Sequence, residues 1–204
     1  MKKLAILICG AMLSIGFSSI FTSCDSKAKL AESIKGTWTG NPEKVLDTDA
    51  TSASMVRALE FLPGASVSEG TVTMSAIITV ENATQFNDSV VSPIQITASG
   101  TATVQGTYQV KDDDDIIISL DATSFAVNVD PDGVQLNYNA LSESSAPIAE
   151  KLKPAAAQLA TQQITSAARS AFSGINEIED IHVHGSLMKC EINHRDLVFS
   201  RSAQ

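Results

Sequence analysis

The chain has 204 residues, 44% of them hydrophobic, with 23 acidic residues against 14 basic and a formal net charge of −9. That length supports one ordinary domain with a core of its own and excludes two large ones. An acidic balance without a basic block excludes a nucleic-acid partner, because such binding rests on clustered Lys and Arg that displace phosphate counterions.

Met1-Lys2-Lys3 is a basic start, and Leu4 to Phe21 is an apolar run broken by Gly10, Ser14, Gly16, Ser18 and Ser19. Thr22 and Ser23 then place two small residues directly before Cys24. This order is that of a secretory signal peptide. Phe21-Thr22-Ser23-Cys24 resembles the lipobox of bacterial lipoproteins, which prefers Leu where this chain has Phe21. The resemblance implies cleavage after Ser23, acylation of Cys24 with palmitate-type chains, and attachment to the bacterial cell envelope at the outer membrane. One acyl chain anchors only marginally, at about 0.8 kcal/mol per buried methylene, whereas two or three hold stably. A plain signal peptide or a single membrane anchor is the alternative, and the small pair before Cys24 favours the lipoprotein. Residues 1–23 are then a cleaved leader and 24–34 a lipidated polar tether with one helical turn, followed by a single domain over 35–204. Cys9 leaves with the leader, so Cys190 has no disulfide partner and a multi-cysteine zinc site is excluded.

Gly36-Thr37-Trp38-Thr39-Gly40 predicts a first strand, and residues 41–54, rich in Asn, Pro, Asp, Thr and Ser, predict a loop. From Val72 to Val80 apolar residues alternate with Thr and Ser, and residues 94–110 repeat the device. Period-two alternation of this kind predicts antiparallel strands with one wet face. Gly100 and Gly106 fall on the apolar parity of a long segment and predict bends or bulges. Asp112 to Asp115 is a turn, and the parity change between Leu120 and Phe125 predicts a break near Ala122. Asp130-Pro131-Asp132-Gly133 predicts a tight turn, with Val134, Leu136 and Tyr138 beyond it completing a hairpin. The period then lengthens to that of an Ala-rich helix near 145–173, capped by Ser145, interrupted at Pro154 and closed by Gly174. Strands around 181–188 and 197–201 end the chain, with 193–196 as a turn.

A Gly-x-Trp at the first strand of a β-rich domain resembles the lipocalin signature. In that family the Trp plugs the closed end of the barrel and a late Arg packs across its ring. Gly36, Trp38 and Arg201 stand in those places here. The layout is similar to that of the lipocalin-like domains of bacterial lipoproteins. The fold expected is mainly β, an antiparallel lipocalin-like barrel or a strongly curved sheet wrapped on the one long helix.

Chemical constellations are sparse. Asp112 to Asp115 offers carboxylates, but four adjacent ones cannot all face one ion, and a solvated turn accounts for them better. His182 and His184 share a strand face, yet their spacing supplies no third ligand; His194, Glu177 and Glu179 are the nearest in sequence. Cys190 shares parity with Met188 and Ile192, an apolar row in which a thiol is inert. With no nucleophile elbow, zincin helix or phosphate loop, no catalytic residue, metal or cofactor is assigned. A low aromatic fraction of 5% also disfavours a sugar platform or an aromatic protein hot spot. Two readings remain. Either a small apolar or amphipathic ligand lies among Val72, Met74, Ile78, Ile94, Ile96, Val104 and Tyr108, or the core is filled and the protein is a structural or protein-interaction lipoprotein.

Overall fold

The computed structural model describes residues 18–84, 94–137 and 146–201. The Cys24 side chain, Tyr138 and Ser145 lie outside the described residues. In chain order the elements are α1 (Ser18–Ile34), β1 (Gly36–Asp47), β2 (Thr51–Pro63), β3 (Glu69–Thr84), β4 (Ile94–Val110) and β5 (Ile116–Val129). They continue with β6 (Gln135–Asn137), α2 (Ala146–Phe172), β7 (Glu177–His184), β8 (Leu187–Glu191) and β9 (Asp196–Arg201). The fold is mainly β, as the alternation requires.

Pairing is antiparallel throughout. It runs from β1 through β2, β3, β4, β5, β7, β8 and β9, and β9 pairs back onto β1 through Trp38–Arg201, Thr39–Ser200 and Gly40–Phe199. The sheet thus curves into a ring-like arrangement. Two of its seams are short: β5 meets β7 only at Ile116–Ile178 and Ile117–Glu177, and β9 meets β1 only as far as Gly40.

The buried parity of each strand faces one continuous core. Val72, Met74, Ala76, Ile78 and Val80 on β3 alternate with exposed or half-buried neighbours, and Ile94, Ile96, Ala98, Ala102, Val104, Tyr108 and Val110 do the same on β4. Helix α2 lies on this inner face, against β3, β4 and β5. Its fully buried row is Ala156, Ala160, Ile164 and Ala168, four residues apart, a single face of a 3.6-residue helix. Small side chains there let the helix approach the sheet closely. Ala155 is exposed, and Pro154 does not split the helix, which begins at Ala146 and runs to Phe172.

Several expectations need correction. Residues 41–54 are not a loop: β1 continues to Asp47 and β2 starts at Thr51, with register shifts at Thr39/Pro42 and Lys44/Leu46 absorbing the turn-forming residues. Pairing with β2 overrides the local composition. The bulge in β4–β5 falls at Val104, between Gly100 and Gly106, where residues 122–125 are looped out opposite it; this is the break foreseen near Ala122. The two glycines instead permit close approach. A Cβ on Gly106 would meet the Ser119 carbonyl oxygen at 2.3 Å, and one on Gly100 would meet Val129 Cγ2 at 2.8 Å and Ile164 Cδ1 at 3.2 Å.

Asp130 to Gly133 does not make a hairpin either. After a short 3-10 turn, β6 pairs with β4 at Gln95–Thr97, in the same lane that β5 occupies at Gly100–Val129. The chain steps along β4 rather than reversing. The stretch 181–188 is two strands, split by Gly185, whose φ is +61°. Residues 24–34, expected as a tether, belong to α1, and Leu30, Ala31 and Ile34 are buried in the core. Their spacing puts them on one helical face, and burying that face draws the segment onto the domain.

Candidate functional site

Strand β2 carries the side chains that matter most. Ala53, Met55, Arg57, Leu59 and Phe61 share the inward parity and are all buried. Four are apolar; Arg57, at 6% exposure, is a cation on the core side of a strand. Its Nε lies 3.5 Å from Glu43 Oε1 on β1, close enough for charge pairing but not aligned for a hydrogen bond. Its Nη1 donates to the Ala171 carbonyl oxygen on α2 at 3.3 Å. Burial pulls the guanidinium down from its ordinary pKa and the Glu43 carboxylate pushes it back up; an arginine stays charged under such opposition.

Beside Arg57 is a cavity of about 480 Å³. It lies between the extension of β1 and β2 beyond the β9 seam, the C-terminal half of α2, and the β8–β9 turn. The short seam explains it: β1 loses contact with β9 after Gly40, and the gap is left for other side chains to line. Buried Ala53, Met55, Arg57 and Val80 form the floor. Leu46, Ser166, Ser170, Asn193 and Arg195 are exposed and form the rim. The size falls in the range of small-molecule sites, roughly 300–1,000 Å³, and the mix of apolar walls with a few fixed polar groups is typical of them.

The structure places the sequence-nominated residues elsewhere. Val72, Met74, Ile78, Ile94, Ile96, Val104 and Tyr108 are all buried in the packed interior, between 0% and 4% exposed. None of the seven lines this cavity, although Val80, one step along the same β3 row, does. Tyr108 packs edge-on against Phe61 with ring centres 5.5 Å apart. Arg57 was missed because the β2 segment was not read as a strand. A charge on the parity of Ala53, Met55, Leu59 and Phe61 is the signal that finds it.

Gly36, Trp38 and Arg201 are brought together at one end of the ring. Trp38 is fully buried, and the Arg201 guanidinium carbon lies 4.3 Å from its ring centre. By register Trp38 and Phe61 lie toward one end of β2, and Ala53, against Val80, toward the other, so the cavity lies away from Trp38.

Of the remaining polar residues, Glu179, Glu191 and His194 bring their potential ligand atoms within 4.8 Å of one another, without His182 or His184. Asp112 Oδ1 accepts the Asp115 backbone N–H at 3.0 Å and that of Asp114 at 3.5 Å, which closes the β4–β5 turn. His182 and His184 stand exposed on β7. Glu177 instead pairs with Lys111 at 2.6 Å, and His194 Nδ1 lies 3.2 Å from Glu191 Oε1. Cys190 is buried, and burial pushes its thiol pKa up to about 12. Among the described residues no helix is long and apolar enough to cross a membrane. Neither a scan against protein-family models nor a search of the curated proteins finds a match to the chain.

Proposed function

We propose that the chain is a lipid-anchored protein of the bacterial cell envelope, at the outer membrane, whose lipocalin-like barrel binds a small apolar or amphipathic ligand without catalysis. The observation that carries the reading is the cavity of about 480 Å³, with a mixed aliphatic and polar lining and one buried cation on its floor. The closed antiparallel pairing, with Trp38 under Arg201 at the other end, supports the lipocalin-like assignment. The anchor rests on Cys24 and the run before it. Cys24 precedes the core residue Leu30 by six positions, about 9 Å of helix at 1.5 Å per residue, so an acylated Cys24 holds the domain near the bilayer surface.

Among the described residues the buried core runs from Leu30 to Phe199, so a chain beginning at Asp25 keeps all of it. Native mass spectrometry of that chain after mild purification tests the binding reading: a retained molecule at unit stoichiometry supports it. Labelled palmitate tests the anchor, since incorporation in the full chain must vanish on Cys24→Ser.

A second reading, a structural or interaction lipoprotein with a filled core, has its own observation. Helix α2 occupies the inner face of the ring, and six of the seven β3 and β4 residues named above, all but Ile94, belong to the one packed cluster there. A protein that retains nothing and binds no amphiphile favours it.

A further inference from the structure

Two buried side-chain atoms among the described residues have no hydrogen-bond partner: Arg57 Nε and Gln163 Oε1. Both residues line the same cavity. Arg57 Nε faces the Glu43 carboxylate at 3.5 Å without hydrogen-bond alignment, and Gln163 Oε1 has no donor; native structures leave few buried polar atoms in that state, so two beside one hollow point to a partner supplied from outside the chain. The charged residues of the lining are Glu43, Arg57 and Arg195. They leave the cavity one positive charge in excess, in a chain of net −9.

The two orphans are not adjacent. Arg57 is fixed to Ala171, while Gln163 lies eight residues earlier on α2, about 12 Å along the axis. Between these ends the lining is mixed: Val45, Ala53, Val80, Ala167 and Leu197 give an aliphatic strip, with Ser166 and Ser170 beside it on α2.

We propose that the cavity is a site for a singly charged anionic amphiphile, a medium-chain carboxylate bearing a second polar group. Its carboxylate pairs with the Arg57 guanidinium beside Arg195, whose charge offsets that of Glu43, and its chain runs along the aliphatic strip. A hydroxyl about 12 Å from the carboxylate, the helix spacing given above, meets the Gln163 amide. A hydroxyl both donates and accepts, so it satisfies that amide in either orientation. This inference rests on the ligand-binding reading above and adds the chemistry of the ligand.

The test is calorimetric titration of the chain from Asp25 with submicellar decanoate, 10-hydroxydecanoate and decan-1-ol, alongside native mass spectrometry. Decanoate is expected to bind at least tenfold more tightly than decanol, and 10-hydroxydecanoate more tightly than decanoate. The paired variant Arg57→Met/Glu43→Gln removes both charges without stranding a buried carboxylate, and should erase the preference for decanoate over decanol. Gln163→Leu should erase the advantage of the hydroxyl while leaving decanoate affinity within about twofold, a change worth under about 0.5 kcal/mol. Equal affinity for decanoate and decanol in the unaltered chain overturns the anion site but leaves the binding reading standing. So does a neutral molecule retained in the mass spectrum. If none of the three probes binds and nothing is retained, both fall.

Discussion

The guanidinium carbon of Arg201 lies over the Trp38 ring, 4.3 Å from its centre, and the two residues are also register partners across the β1–β9 seam. The same guanidinium donates from Nη1 to the Lys35 carbonyl at 2.7 Å and from Nη2 to the Ser33 carbonyl at 2.8 Å. Trp38 Nε1 in turn donates to the Ile34 carbonyl at 2.6 Å. Three consecutive carbonyls at the end of α1 thus find donors, which a helix C-terminus lacks within itself. The pair therefore joins the helix, the first strand and the last, at a seam only three residue pairs long.

Arg201→Ala is expected to lower unfolding stability by roughly 1–3 kcal/mol, from the lost cation–π contact and the carbonyls left to water. Arg201→Lys should recover only part, because an ammonium cannot reach two carbonyls in a fixed fork while lying over the ring. Urea midpoints at unchanged slope measure both; equal stability of the Lys variant and the native chain contradicts the argument.

How much of this was legible in the sequence depends on what each signal reports. The alternation from Val72 to Val80 and from Ile94 to Val110 reports burial of one face, and β3 and β4 are where it says. The Ala-rich period reports α2 to within one residue at each end. Asn41 and Pro42 report only local turn preference, which pairing with β2 outweighs through two register shifts. Leu30, Ala31 and Ile34 were hidden among charged neighbours that face solvent on the same helix. The cavity was beyond reach for a different reason. Its wall joins β1, β2, α2 and the β8–β9 turn, segments brought together only by closure of the ring.

Ile164 is the largest member of the buried α2 row, with Ala156, Ala160 and Ala168 around it, and its Cδ1 approaches the hydrogen face of Gly100. Ile164→Ala is expected to cost roughly 2–5 kcal/mol, because the neighbouring alanines are too short to fill the hollow. Thermal or urea unfolding measures it. A loss below about 1 kcal/mol, the range of tolerated swaps, means that α2 does not pack tightly inside the ring.

Gly106→Ala probes the β4–β5 approach. The added Cβ would lie 2.3 Å from the Ser119 carbonyl oxygen and 2.9 Å from Leu120 Cα, and these are backbone atoms that cannot rotate away. The strands must part, at roughly 1–3 kcal/mol. Hydrogen exchange should show faster exchange at Ser119, Leu120 and their β4 partners before it does so in β2 and β3.

Cys190 sits in the apolar row with Met188 and Ile192, and its thiol, with a pKa raised to about 12 by burial, is scarcely ionised at pH 8. The nearby positive charge of Arg57 pulls the other way and loses. Since the thiolate is the reacting form, iodoacetamide should leave Cys190 unmodified in the folded chain at pH 8 and label it promptly in urea. Rapid labelling of the folded protein would place the thiol in an open environment that this packing does not provide.

Asp121 supplies a pH-dependent contribution whose sign follows from its contacts. Its Oδ1 accepts the Thr123 hydroxyl at 2.7 Å and the Thr123 backbone N–H at 2.8 Å, within the segment looped out beside Val104. These hydrogen bonds favour the charged form and hold the carboxyl below the usual aspartate range. A folded-state pKa below the unfolded value of about 3.9 means that the stabilisation is present above that pH and is lost as pH falls through the folded pKa. Thr123→Val deletes the hydroxyl and keeps the backbone donor, so the Asp121 titration should move part of the way back up. The same variant should lose stability at pH 7, and the loss should shrink as pH falls through the folded-state pKa of Asp121. Carboxyl carbon chemical shifts followed against pH read the first effect and urea midpoints the second; an unmoved Asp121 titration would show that the hydroxyl does not hold the charge.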